Sequence, residues 1–327
     1  MPILLNTDMP KSLADYAAWL DDRKLLWPAA PKVTPVRATP SLKPLAGIKA
    51  VTWSVYGTLL SIADGRLAHQ HPQQIRMQVA LEKTIEEFKM WNSMSRKPGA
   101  PWEYMLTQYK RLIEERQHGV SPGVGELVEV DSADVWNKVI ERLGRKEYQY
   151  DENFYGDVSE LSEKIAYFFH SCLQGCGAYA EALDALRAVS NAGLKQSLLG
   201  DGQCFTPVQV HRALQKQGKV ASLGELLTPG CMVLSYQTGT RQPSKLLFET
   251  ALQRFDDQGV SPGEILHIGS RLRDELGPAK AMGLRTALFV GDKASLQCDS
   301  ADLQDPAFRP DRLLTELGQV RQIVGAG

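Results

Sequence analysis

From residue 48 onward, short apolar runs alternate with stretches of amphipathic helical spacing, and that alternation leaves few folds open. AVTWS (50–54), LKQSLLG (194–200), CMVLS (231–235), GEILHIGS (263–270) and RTALFV (285–290) read as strands. GAYAEALDALRAVSNAG (177–193), TPVQVHRALQKQG (206–218), PSKLLFETALQRF (243–255) and DELGPAKAMG (274–283) read as helices. Strands that are apolar at nearly every position are covered on both faces, and strand–helix–strand repetition makes them parallel. The expectation is an α/β chain with a doubly wound parallel sheet, whose ligands sit at the carboxyl ends of the strands.

Residues 66–176 interrupt this pattern between the first and second core strands. The interruption is helix-rich: HPQQIRMQVALEKTIEEFKMW, PWEYMLTQYKRLIEER, SADVWNKVIERLG and DVSELSEKIAYFFHSCL. Ile75, Val79, Ile85 and Phe88 recur at helical spacing, which predicts a common buried face. SRKPGAPW (95–102) and HGVSPGVGE (118–126) carry the Pro and Gly that separate helices. Ahead of the core, residues 11–26 place Leu13, Tyr16, Ala17, Leu20 and Lys24 at helical spacing after Pro10. Pro28, Pro31, Pro35, Pro40 and Pro44 then punctuate an aperiodic stretch that reads as a linker or surface strap. The expected division is an appendage at 1–46, a core at 47–65 and 177–327, and a helical insertion at 66–176.

Composition narrows the function classes. The chain has 327 residues, enough for about two domains. Its 37 basic residues stand against 38 acidic ones, a balance that points to neither nucleic acid nor membrane. No apolar run reaches the ~18 residues of a membrane span, and the first residues lack the pattern of a secretory signal. Cys172, Cys176, Cys204, Cys231 and Cys298 form an odd, scattered set, as expected of reduced thiols in a cytoplasmic protein. Cys172 and Cys176 share a helix face, but no second pair completes a zinc set.

Residues Ile48 to Leu60 run from a buried strand into a tight Gly57-Thr58 turn. This resembles the first motif of the haloacid dehalogenase-like (HAD) superfamily of phosphatases and dehalogenases: apolar strand, Asp, any residue, Asp or Tyr, Gly, Thr, Leu. The insertion that follows resembles the family's cap domain, and the resemblance covers residues 47–327. It implies a carboxylate nucleophile that forms a covalent intermediate later hydrolysed by water. In the phosphatases it implies Mg²⁺, held by that carboxylate, a carbonyl two residues on and an Asp of the last motif. A Ser or Thr ending the second strand and a Lys in the third motif would hold the phosphoryl oxygens.

Carried onto this chain, the nucleophile position is Ser54, and Tyr56 stands at the second acidic position, where a Tyr is familiar from the dehalogenase branch. Gly200 stands where Ser or Thr is expected, with Asp201 after it. In Gly239-Thr240-Arg241-Gln242-Pro243, Gln242 replaces the Lys, and Lys245 lies three residues on. In His267-Ile268-Gly269-Ser270-Arg271-Leu272-Arg273-Asp274, Ser270 replaces the expected Asp and Asp274 is the matching carboxylate. Nucleophile, metal ligand and phosphate-binding lysine are thus lost together, which keeps the pocket's charge roughly balanced without a metal.

The expected function is therefore that of a HAD-like protein which has lost hydrolase activity, needs no cofactor, and binds a small anionic ligand or a protein. The alternative is a divergent phosphatase- or dehalogenase-type hydrolase of a small phosphorylated or acyl substrate, with Mg²⁺. A serine hydrolase built on Ser54, with His267 as base and Asp201 or Asp274 as orienter, competes with a plain hydrogen-bonded strand histidine, and no G-x-S-x-G elbow surrounds Ser54. Thr58, Asp201, Arg241, Lys245, Arg271 and Arg273 are the candidate ligand-binding residues, the default for the four cations being solvated loop charges. Trp91, Trp102, Tyr104, Tyr109 and Trp136 either line a pocket or pack the helical core.

Overall fold

A computed structural model describes residues 9–94, 99–119 and 127–325. They gather into two compact units. One takes the described residues of Met1–Pro28, Ala68–Val120 and Val130–Gln174; the other takes those of Ala29–Leu67, Ser121–Glu129 and Gly175–Gly327. The 1–46 stretch is thus shared between the two. Of the separating loops, residues 95–98 and 120–126 lie outside the described residues.

The second unit is built on a six-stranded parallel sheet. Its order is Arg312–Leu314, Arg285–Phe289, Ile265–Gly269, Ala50–Trp53, Lys195–Gly200, Val233–Leu234. Alternate side chains of the inner strands feed two apolar layers, as the pleat requires. Val51, Trp53, Leu198, Leu266 and Ile268 pack with Leu186 and Val189 of helix Ala182–Asn191 and with Val210 and Leu214 of helix Thr206–Gln215. Ala50, Leu199, Val233 and Ile265 face Leu247, Phe248, Ala251 and Phe255 of helix Lys245–Asp256. This is a doubly wound α/β core, as the apolar strands required. Three elements were not foreseen: the edge strand Arg312–Leu314, an antiparallel pairing of Leu127–Val128 with Thr240–Arg241, and another of Leu60–Ser61 with Gly177–Ala178, where the sequence reading has a helix.

The first unit is helical. Leu13–Asp22, capped by the Ser12 side chain, buries Tyr16, Ala17 and Leu20. Gln74–Glu87, Pro101–Gly119, Ser132–Gly144 and Val158–Leu173 are its long helices. Tyr109, Trp136 and Phe169 pack their rings in tilted and edge-on pairs at 4.9–5.4 Å in its core. One expectation is corrected here: Ile75 and Val79 are 60% and 40% exposed. Helix Gln74–Glu87 instead buries Met77, Ala80, Leu81, Thr84 and Ile85. A cavity of about 700 Å³ in this unit is walled by Trp19, Trp27, Phe88, Tyr155 and Phe168. None of the five aromatics singled out above lines it; Tyr109 and Trp136 are core, and Trp91 is 53% exposed. Among the described residues, no helix is long and apolar enough to cross a membrane.

Candidate functional site

Strand order reverses at Ala50–Trp53, which pairs with Lys195–Gly200 on one side and with Ile265–Gly269 on the other. The crevice beyond the carboxyl ends at such a reversal is where open α/β sheets place their ligands. Ser54 follows the first of these strands and Ser270 the last, and both are buried. The Ser54 N–H donates to the Ile268 carbonyl at 2.9 Å, which ties the two strand ends together. Its Oγ lies 3.5 Å from His267 Nε2, while His267 Nδ1 is 2.9 Å from Thr52 Oγ1. Burial pushes the His267 pKa down to about 4, and the ring meets Phe248 edge-on at 5.8 Å. His267 is a neutral strand histidine with a hydrogen bond at each nitrogen.

The turn after Ser54 is held by the N–H groups of Thr58, Leu59 and Leu60, which all donate to the Val55 carbonyl. Gly57 has φ +84°, and a Cβ there would come within 2.7 Å of Ser270 Oγ, so glycine alone fits. Tyr56 turns away toward helix Thr206–Gln215, its hydroxyl donating to Gln209 Oε1 at 2.6 Å and lying 2.9 Å from Thr206 Oγ1. Burial raises its pKa well above the ordinary tyrosine value. Gly200, where a hydroxyl residue was expected, sits at φ +149° with its missing Cβ 3.3 Å from Gln242 Oε1.

Arg271 organises the charge at this edge. Its side chain is 4% exposed, which corrects the default of a solvated loop cation. Nη2 contacts Gln242 Oε1 at 2.7 Å, Glu275 Oε1 at 2.9 Å and Asp201 Oδ2 at 3.1 Å. Glu275 Oε2 accepts the backbone N–H groups of Ser270 and Arg271, and Asp201 Oδ1 accepts that of Gln242. Burial raises the Asp201 pKa, Arg271 opposes the rise, and Glu129 adds to it.

Gly200, Asp201, Gln242 and Arg271 therefore meet directly. The remaining candidates do not join them: Asp274 pairs with Arg66, and Arg273 forms a two-armed bridge to Asp302 at 2.8 Å. Arg241 and Lys245 are exposed.

Two contributors were missed. Glu275 stands four residues after Arg271, a helical ion-pair spacing that could have flagged it. Glu129 accepts from Ser235 Oγ at 2.5 Å and from Gln203 Nε2 at 3.1 Å. Nothing in its sequence neighbourhood points to this.

Thr58 Oγ1, Gln242 Nε2 and Ser270 Oγ are buried without a hydrogen-bond partner. An unmet buried polar atom costs about 1–3 kcal/mol, so each of the three is unfavourable in the site as it stands. The Mg²⁺ of the family's phosphatases does not fit the donor set. Such an ion takes about six oxygens with one or two carboxylates among them. Here Ser54 and Ser270 are neutral, Asp201 and Glu275 close on Arg271, and Asp274 holds Arg66. Among the described residues, no group of three His, Cys, Asp or Glu side chains is arranged to hold a metal.

Sheet order, helical insertion and motif order make the chain resemble HAD-superfamily hydrolases. No family model matches it. A curated ribulose-1,5-bisphosphate 5-phosphatase from Halopiger xanaduensis is 28% identical over 93 residues, 28% of this chain and 38% of that protein. Among solved structures, a 2-haloacid dehalogenase from Pseudomonas syringae pv. Tomato aligns at 16% identity, covering 85% of this chain and 98% of its own, with a TM-score of 0.49. A HAD phosphatase from Thermococcus onnurineus aligns at 16% identity over 85% and 99%, with a TM-score of 0.45. L-2-haloacid dehalogenase from Xanthobacter autotrophicus aligns at 17% over 85% and 98%, with a TM-score of 0.43.

Proposed function

We propose that this chain is a HAD-like protein whose strand-edge site binds a small acceptor-bearing ligand, such as a phosphate or carboxylate, without the family's metal-assisted hydrolysis. The observation that carries this reading is the pair of hydroxyls at Ser54 and Ser270, one after each strand flanking the reversal. No carboxylate stands there to attack substrate or ligate a metal. The unpartnered Thr58 Oγ1, Gln242 Nε2 and Ser270 Oγ offer hydrogen bonds to ligand oxygens. Titration with inorganic phosphate and with acetate, followed by thermal unfolding, tests the binding. A midpoint that rises with either ion, and less so in Gln242→Ala, supports it; indifference to both contradicts it.

A second reading, a divergent hydrolase, has its own support. The curated match is to a phosphatase, and this favours the second reading more directly than the first. Within the site, His267 Nε2 lies 3.5 Å from Ser54 Oγ, where the base of a serine nucleophile would stand, although burial holds the ring's pKa at about 4 and makes it a weak base. Release of phosphate or acetate from nitrophenyl esters, measured with and without Mg²⁺, separates the two.

A further inference from the structure

The cavity of about 700 Å³ in the helical unit is bordered by six aromatic rings that touch in an unbroken series. Trp19 meets Phe154 at 4.9 Å, Phe154 meets Tyr155 at 4.8 Å, and Tyr155 meets Phe88 at 5.4 Å. Phe88 meets Phe168 at 5.7 Å, and Phe168 meets Trp27 at 5.4 Å. Four of these five contacts are edge-on and one is tilted, so the rings brace one another at fixed angles. They come from separate segments: helix Leu13–Asp22, the C-cap of helix Gln74–Glu87, helices Glu152–Tyr155 and Val158–Leu173, and Trp27 beyond the first helix. Aromatic side chains ordinarily close on each other and fill their core. Here they border a space within the roughly 300–1,000 Å³ of small-molecule pockets, and Trp19, Trp27, Phe154 and Tyr155 stay half-buried.

Three cationic and three acidic side chains share the border, and most are spent on the protein itself. Arg23 Nη1 donates to both Glu87 carboxylate oxygens, at 2.6 and 2.7 Å, while its guanidinium lies 4.6 Å from the centre of the Trp19 ring. Lys83 Nζ donates to the Leu26 carbonyl at 2.7 Å, and Asp151 accepts the backbone N–H groups of Asn153 and Phe154. Glu86 and Lys89, one of each sign, are exposed. Burial and the nearby Glu87 push the Tyr155 pKa up to about 12, so its phenol is neutral. A ligand cation would find its place over Trp19 already held by Arg23. The border carries no excess positive charge to draw a ligand anion.

We propose that the helical unit carries a second binding site, an aromatic-walled pocket for a neutral, flat, fused-ring organic molecule. The ring faces supply the binding energy by shedding water, and the balanced border selects against charge. The pocket shares no residue with the strand-edge site, so it stands or falls independently of what binds there.

The test is calorimetric titration of the full chain at pH 7 with three naphthalene probes that differ in charge: 2-naphthol, 2-naphthoate and 2-naphthyltrimethylammonium. The expected dissociation constant for 2-naphthol is about 10–100 μM, with each charged probe about tenfold weaker or worse. Leu25 also lines the cavity, and Leu25→Trp fills the space, abolishing binding while leaving the unfolding midpoint close to native. Trp27→Ala weakens 2-naphthol by about tenfold, and Trp27→Phe, which keeps a ring against Phe168, restores most of the loss. The proposal is overturned by no saturable binding of 2-naphthol, by tighter binding of either charged probe, or by native affinity in a folded Leu25→Trp. Should Leu25→Trp fail to fold, equal affinity in Trp27→Ala and Trp27→Phe overturns it. Binding that appears only when residues 1–8 are removed would mean that the chain's own Ile3, Leu4 and Leu5 take the pocket, and overturns it as well.

Discussion

Ser54 Oγ and His267 Nε2 lie 3.5 Å apart, on the two neighbouring strands between which the order of the sheet reverses. The separation is at the outer limit of a hydrogen bond. His267 is held more firmly from its other side, by Thr52 Oγ1 at 2.9 Å. The contact therefore contributes little to stability, and Ser54→Ala should cost less than about 1 kcal/mol in urea unfolding. A larger loss would mean that Ser54 holds the two strand ends through its side chain as well as its backbone.

His267 also sets an acid limit on stability. Its pKa falls from 6.5 to about 4 on folding, because burial disfavours the charged ring. A depressed value means that the contribution is complete above pH 6.5 and is lost as pH falls from there through 4. The full shift is worth roughly 3 kcal/mol. His170 in the helical unit, also lowered by burial and by His69, acts in the same direction. Unfolding free energies at pH 7 and pH 4.5 should therefore differ less in His267→Gln than in the native chain. An equal difference would show that His267 does not carry this limit.

Tyr56 is expected to be structural. Phe in its place takes from Gln209 Oε1 its hydrogen bond with Tyr56, while Thr206 Oγ1 keeps the Gln203 N–H, at a cost of about 1–3 kcal/mol. The check is chemical denaturation of Tyr56→Phe, with a neutral outcome counting against the assignment.

Gly57→Ala should destabilise by more than about 1 kcal/mol, since φ is +84° and the new methyl would meet Ser270 Oγ at 2.7 Å. Ser270→Ala in the same chain removes the collision but not the backbone strain. The double variant should regain part of the loss, and strict additivity would show that the two residues do not touch.

Much of this architecture was legible because its strands are short runs built around apolar residues and are followed by stretches of helical spacing. Ala50–Trp53, Lys195–Gly200 and Ile265–Gly269 have almost no alternative to a buried parallel sheet. Arg312–Leu314 escaped because three residues led by an arginine carry no period. The pairing of Leu127 with Arg241 depends on segments more than a hundred residues apart. On helix Gln74–Glu87, Ile75 and Val79 suggested the wrong face; Met77 and Ala80, three apart, mark the buried one. At the site, the motif positions were readable as substitutions, yet the burial of Arg271 was not. Three partners bring it about, and only Glu275 lies near it in the chain. Asp201 and Gln242 arrive through tertiary structure, which no local pattern encodes.

The central claim is that hydroxyls at Ser54 and Ser270 leave the strand edge without carboxylate and metal chemistry. The most direct measurement is the release of nitrophenol from nitrophenyl phosphate by the native chain and by Ser54→Ala, each with and without Mg²⁺. The account predicts no release above the uncatalysed rate in any of the four. Mg²⁺-dependent release by the native chain that disappears in Ser54→Ala would contradict it.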